Sequence, residues 1–416
     1  MSKISRLITS LLPGIFLIGY NVGTGSVTSM SKAGANFGLD LLWTVFISCL
    51  ITYYLITQFS KYTMVTGKTI IQGIKEDIHP ALAIVLIVSL SAIILSALMG
   101  LLGIVAEVLH VWGETLFSGN ISTLTWAIIV ATFIFALLWI GNYSFFEKVL
   151  AILVAIMGIA FIATMFINLP SLKEIGEGFI PKIPETAEGS DNSPLIIVAG
   201  MVGTTVSVFA FIIRSQIVKE IGWKMKDSKT QRRDALVSAS MMFLISAAVM
   251  VTAATTLHIS GLRLNSVVEM IPLMEPIAGK AALGVFVIGI VAAGLSSHLP
   301  NLLVIPWLII DYKNEKRDTQ TGKYRIILFA LSIISVLGVA FHFKPVFVLM
   351  LSQACIAVVL PITIASIFYL TSKKRLMKTY TNKTYDIIIL SLILLFSVYV
   401  SSLGIKGLII DLGTIL

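Results

Sequence analysis

The chain is 416 residues long, 57% hydrophobic and 12% charged, with a mean hydropathy of +0.97. Soluble domains carry about 25% charged residues, so a soluble enzyme and a disordered chain are excluded; the net charge of +9 does not make the chain a nucleic-acid binder. Cys49 and Cys355 lie in apolar runs without metal-type spacing, which excludes a disulfide framework or a zinc site as the organising principle. What remains is an all-α polytopic membrane protein.

Hydrocarbon about 30 Å thick asks for roughly 20 apolar residues per helix. In chain order such runs centre on Leu12–Lys32, Leu41–Met64, Ala81–Leu109, Leu124–Ile140, Val149–Ile167 and Leu195–Ile217. They continue with Leu236–Leu257, Ala281–Ile310, Ile326–Phe341, Val346–Leu370 and Ile387–Leu403, giving about 11 spans. The first run is too long for a cleavable signal peptide, and none is expected. With the N-terminus in the cytoplasm, 22 of the 30 Lys and Arg residues fall in cytoplasmic segments. The positive-inside rule therefore sets a cytoplasmic N-terminus and an external C-terminus, in what is expected to be a prokaryotic inner membrane.

Two spans carry matching interruptions. Val22-Gly23-Thr24-Gly25-Ser26 lies inside span 1, and Val202-Gly203-Thr204-Thr205-Val206-Ser207 inside span 6. Glycine disfavours a helix interior by about 1 kcal/mol, and hydroxyls offer the backbone other partners. A bilayer tolerates unwound backbone only where protein buries it or it lines a cavity. Interruptions five spans apart predict two inverted five-span repeats with a site between the breaks. The first repeat is expected over 1–168, an external segment over 169–193, the second repeat over 194–371, and an extra helix over 384–416. The alternative is that the small residues only let helices pack closely.

The residues around these breaks resemble the Nramp family of proton-coupled divalent metal transporters. The resemblance rests on Gly19-Tyr20, Gly34-Ala35-Asn36-Phe37-Gly38, Leu41-Leu42-Trp43, Phe146-Glu147 and Gly200-Met201-Val202-Gly203-Thr204-Thr205-Val206. Ser215-Gln216-Ile217-Val218, Gly294-Leu295-Ser296-Ser297, Leu351-Ser352-Gln353 and Leu360-Pro361 extend it to about span 10. It implies the leucine-transporter-like fold of the amino-acid–polyamine superfamily, with helices 1 and 6 broken. The family places Asp-Pro-Gly-Asn where this chain has Val22, Gly23, Thr24 and Gly25. It places Met-Pro-His where this chain has Ser207, Val208 and Phe209. The family's span 3 acids correspond to Leu98 and Leu101, and a second histidine to Arg214. The usual metal ligands and proton route are thus missing.

Substrate is expected among Asn21, Val22, Gly23, Thr24, Gly25, Ser26, Thr204, Ser207, Phe209 and Gln353. The first expectation is a secondary transporter of an inorganic ion without the manganese or iron site. The second is a carrier of a small carboxylate, bicarbonate or an amino acid, sodium-coupled or not, because free helix N-termini favour anions. A third is a non-transporting sensor. Arg214 is a candidate substrate-side charge, or else a residue that snorkels or pairs with Glu220. His298 is a candidate proton coupler or a packing residue. Ala293, Ser296 and Ser297 follow the spacing of sodium sites in leucine-transporter relatives. No cofactor is expected, and sodium or a proton is the candidate coupling ion. The bilayer and a small ion or solute are the expected partners; the oligomeric state is left open, a monomer being one option. No Walker loop, HExxH or nucleophile elbow suggests an enzyme.

Overall fold

A computed structural model describes residues 23–116, 121–141, 144–187, 190–274, 276, 279, 282–315 and 321–413. The first half of span 1, with Asn21 and Val22, lies outside them. Its second half is α1 (Thr24–Phe37), which begins directly after Gly23. Spans 2 to 5 are α2 (Leu42–Thr66), α4 (Pro80–Leu116), α5 (Thr123–Ile140) and α6 (Ser144–Ile167). A short helix, α3 (Ile70–Asp77), precedes α4, and another, α7 (Leu172–Gly178), follows α6.

Span 6 is broken. Helix α8 (Pro194–Thr205) stops at Val206, and α9 (Val208–Ile221) restarts after Ser207. Spans 7 to 11 are α10 (Ser228–Ala253), α11 (Ala282–Lys313), α12 (Gly322–Ala340), α13 (Pro345–Ser372) and, after the short α14 (Lys374–Met377), α15 (Thr384–Gly413). Among the described residues, ten spans are long and apolar enough to cross a membrane, and α1 supplies the remaining one in part.

Lipid and protein sort the helices by their faces. Ile128, Ile129 and Phe133 on α5 and Ile152, Ile156 and Ile159 on α6 are exposed, as suits helices surrounded by lipid. Helix α1 is the opposite case: Thr24, Ser26, Thr28, Ser29, Ser31, Lys32 and Asn36 are all buried. Such a polar helix is stable in a bilayer only when protein encloses it, because lipid offers its hydroxyls no partners. Helix α1 packs on α8, α10, α11 and α13, so it runs through the centre of the bundle. On the other side α4 packs on α11, α12 and α13.

Several boundaries differ from the sequence expectation. Span 1 continues past Lys32 to Phe37, so Lys32 is enclosed rather than external, and its Nζ lies 3.4 Å from Asn265 Oδ1. The segments around α3 and α7, expected as loops, hold short helices started by reciprocal caps. Thr69 and Gln72 cap α3, and Ser171 and Glu174 cap α7.

Candidate transport site

The start of α1 and the break in span 6 face one small cavity of about 60 Å3. Gly23, Gly25 and Ser26 reach it from the start of α1, and Thr204, Ser207 and Phe209 from the break in span 6. Helix α4 contributes Leu101, α11 contributes Ser297 and Asn301, and α13 contributes Ser352 and Gln353. A water needs about 10–15 Å3 by this measure, so the space suits a small ion with part of its water shell, or a solute of a few heavy atoms.

Of the expected substrate residues, the structure brings Gly23, Gly25, Ser26, Thr204, Ser207, Phe209 and Gln353 together on the wall. Thr24 points elsewhere. Its hydroxyl is buried, has no hydrogen-bond partner among the described residues, and lies against Gly294 of α11. The hydroxyl of Ser26 meets Ser246 Oγ on α10 at 3.3 Å. Asn21 and Val22 lie outside the described residues.

Gln353 organises the wall. Its Oε1 accepts from Ser29 Oγ, which also lies 2.8 Å from Gly25 O. Its Nε2 sits against Gly25, where any Cβ would collide with it. Its backbone carbonyl abuts Gly203 so closely that a Cβ there has no room either. The two glycines therefore let α1 and α8 close on α13, and the Gln353 amide fills space beside Gly25.

Among the described residues, no side-chain hydroxyl or carboxylate caps α1 or α9, and both helices start at the cavity. The first N–H groups of a helix lack intrahelical partners and carry partial positive charge. Helix α8 ends there as well and presents its last carbonyls, of which Thr205 O accepts from Thr52 Oγ1 at 2.9 Å. Donors and acceptors thus come from backbone, hydroxyls and amides. Among the described residues, neither carboxylate, imidazole nor thioether lines the cavity, and no cluster of acid, histidine or cysteine residues suits a metal. Leu101 lies on the wall, and Leu98 is fully buried one turn away.

Arg214 is the main correction. It is fully buried, but it does not line the cavity and does not pair with Glu220. Its Nη1 lies 2.5 Å from Asp234 Oδ2 on α10, its Nε donates to Ser60 Oγ at 3.2 Å, and its guanidinium stacks 5.3 Å from the Trp223 ring. Asp234 is equally buried. The two opposite charges lie together between α9, α2 and α10, away from the cavity wall.

The α11 candidates divide. Ser297 lines the cavity, and its hydroxyl has no partner among the described residues. Ala293 is fully buried, and Ser296 is half-buried away from the cavity wall. His298 is buried with both ring nitrogens unpartnered among the described residues, and it does not line the cavity.

Sequence reasoning missed the route toward the basic face. Below the cavity Phe209, Ile212, Ile213, Val304 and Leu308 pack into an apolar layer with a void of only about 10 Å3. That barely admits one water. Beyond it opens a vestibule of about 330 Å3 around Asp311. Asp311 accepts from Thr69 Oγ1 at 2.8 Å, Gln72 Nε2 at 3.1 Å and Gln216 Nε2 at 3.2 Å. Asp311 closes span 8 in sequence, where it reads as a loop-side acid. The one sequence signal for this cluster is that Gln216 also ends a span, on the matching side.

A family model described as natural resistance-associated macrophage protein-like matches residues 14–405. The fold is similar to that of the Eremococcus coleocola manganese transporter in complex with an aromatic bis-isothiourea compound. That match has a TM-score of 0.77 at 16% identity and covers 99% of this chain and 88% of that one. A histidine-to-alanine mutant of the same transporter matches with a TM-score of 0.76, again at 16% identity, over 99% of this chain and 93% of that one. The inward-facing conformation of Mhp1 matches at 0.60 and 16% identity, covering 96% and 88% of the two chains. At such identities the likeness shows the leucine-transporter-like fold, and nothing about the cargo.

Proposed function

Because the chain belongs to the natural resistance-associated macrophage protein-like family of membrane transporters, we propose that it is a secondary transporter of an inorganic ion, held without acid side chains. The observation that carries this reading is the cavity wall: hydroxyls, amide side chains and peptide groups at the start of α1 and the break in span 6, with no described carboxylate, imidazole or thioether. A dehydrated transition-metal dication needs such ligands to replace its hydration shell. It also needs negative charge to offset its own in a low dielectric. The cargo is therefore an ion that keeps part of its water, or a monovalent one.

The layout supports alternating access. The cavity is narrowed toward the basic face by the Phe209 layer, and span 6 is interrupted at Val206–Ser207, between α8 and α9. A single continuous pore would need no such break. The buried hydroxyls of Thr24 on α1 and Ser297 on α11, unpartnered among the described residues, make sodium the coupling ion to test first. His298 is the residue to test for proton coupling.

A second reading has its own support. The starts of α1 and α9, without a side-chain cap among the described residues, present two positive helix ends to the cavity, and Ser297 adds a hydroxyl without a partner among those residues. That combination suits a small carboxylate or bicarbonate. Uptake into proteoliposomes separates the readings: magnesium, sodium and manganese against labelled bicarbonate, acetate and amino acids, each with and without a sodium gradient. Saturable uptake of a carboxylate with no ion uptake would replace the first reading by the second.

A further inference from the structure

On the basic face, away from the cavity, the ends of α2 and α9 and the 3-10 turn Lys378–Tyr380 enclose an open pocket of about 520 Å3. Lys219, Lys224 and Lys378 line it, over apolar contacts from Met64, Val218 and Trp223. The pocket lies where two basic segments converge. Residues 219–233 carry six Lys and Arg residues against Glu220 and Asp227, and residues 373–383 carry five against no acid.

Three features suit an anion. No carboxylate lines the pocket among the described residues. Among those residues, none of the three lysines pairs with an acid there: Lys219 donates to the neutral Gln72 Oε1 at 2.8 Å, while Asp227 accepts from the Lys224 backbone N–H at 3.0 Å. Lys378 is held at a φ of 52°, a backbone region that costs a non-glycine residue free energy and is kept only where surroundings impose it. The Lys219 ammonium is committed to Gln72, on the side of the Asp311 vestibule, which leaves Lys224 and Lys378 as the cations without an acid partner among the described residues, and an anion between them would be favoured.

Position selects the source. Helices α2 and α9 both end here, at Gly67 and Gly222, so the pocket opens at the membrane boundary on the side that the positive-inside rule makes cytoplasmic. Basic pockets between transmembrane helices on that side suit lipid head groups. We propose that this pocket binds the phosphate group of an anionic phospholipid, with Lys224 and Lys378 as its principal contacts and Lys219 beside them. The site is independent of the transport reading.

The test uses the full chain in phosphatidylcholine nanodiscs doped with phosphatidylglycerol, with bound lipid counted by native mass spectrometry. A parallel arm titrates inorganic phosphate in undoped discs. Lys224→Gln/Lys378→Gln is expected to weaken phosphatidylglycerol retention roughly tenfold or more, from about 1 kcal/mol for each lysine. Lys226→Gln/Lys229→Gln removes the same charge from outside the pocket and should change it less than about twofold. Lys224→Arg/Lys378→Arg keeps the charges and should retain the lipid, which separates a lost contact from misfolding. Phosphate binding that fails in the same pocket variant supports the phosphate site and makes a soluble anion its source. Equal losses in the two glutamine variants, or no loss in either, overturn the proposal.

Discussion

Arg214→Met should unfold the protein locally without touching the substrate. The guanidinium is fully buried, with Asp234 at 2.5 Å, Ser60 at 3.2 Å and the Trp223 ring at 5.3 Å. Removing one member of a buried ion pair leaves the other charge unneutralised and costs about 3–5 kcal/mol. The stack on Trp223 adds roughly 0.5–2 kcal/mol more. Replacing both partners, as in Arg214→Met/Asp234→Leu, removes the stranded charge as well, and most of the loss should return. The assay is a double-mutant cycle of unfolding midpoints in mixed micelles, run beside uptake at matched folded protein. The account predicts a destabilised single variant, a largely restored double variant, and uptake that follows folded protein in both. A stable Arg214→Met that has lost uptake would refute the structural role and return the arginine to the pathway.

Four further outcomes follow from the same geometry. Phe209→Ala should thin the apolar layer, so that a cysteine introduced as Ser297→Cys, in a Cys355→Ala background, labels faster from the basic face; unchanged labelling would mean that the layer is no barrier. Gly203→Ala should cost about 1–3 kcal/mol through its clash with the Gln353 carbonyl, which backbone cannot avoid as a flexible side chain could, and a neutral unfolding midpoint would contradict the close approach. Gly25→Asn alone should impair the site by displacing Gln353, whereas Val22→Asp/Gly25→Asn/Gln353→Ala should gain manganese binding measurable by calorimetry. Glu315 is held below its ordinary 4.5 by hydrogen bonds from Tyr324 and then Lys323, so this tether is present above pH 4.5 and is lost as pH falls through the lowered value; amide protection at the start of α12, taken relative to the intrinsic exchange rate at each pH, should fall on acidification, and should not in Glu315→Gln.

Periodicity and length make the spans legible, because a bilayer admits few alternatives to a helix of about 20 apolar residues. The break in span 6 is legible for a similar reason: Gly203, Thr204, Thr205 and Ser207 stand together where the neighbours are apolar. The starts of α3 and α7 are also written locally, as Thr69 with Gln72 and Ser171 with Glu174, but helices of eight and seven residues leave too little periodicity to stand out from a loop. What stays hidden is tertiary. Asp234 follows Arg214 by twenty residues across a loop, and nothing in the sequence says that α10 folds back to meet α9 there. Gln353 fits against Gly25 and Gly203 only once α13 is placed. Lys32 looks external because the apolar run stops there, yet α1 continues for another turn among polar neighbours that bury it.

Isothermal titration of manganese into the purified wild-type chain, paired with manganese uptake by the same preparation in liposomes, bears most directly on the carboxylate-free site. No saturable binding in the micromolar range and no saturable uptake are expected, with Val22→Asp/Gly25→Asn/Gln353→Ala as the positive comparison. Micromolar, saturable manganese binding and uptake by the wild type would contradict the account, whatever the wall of the cavity looks like.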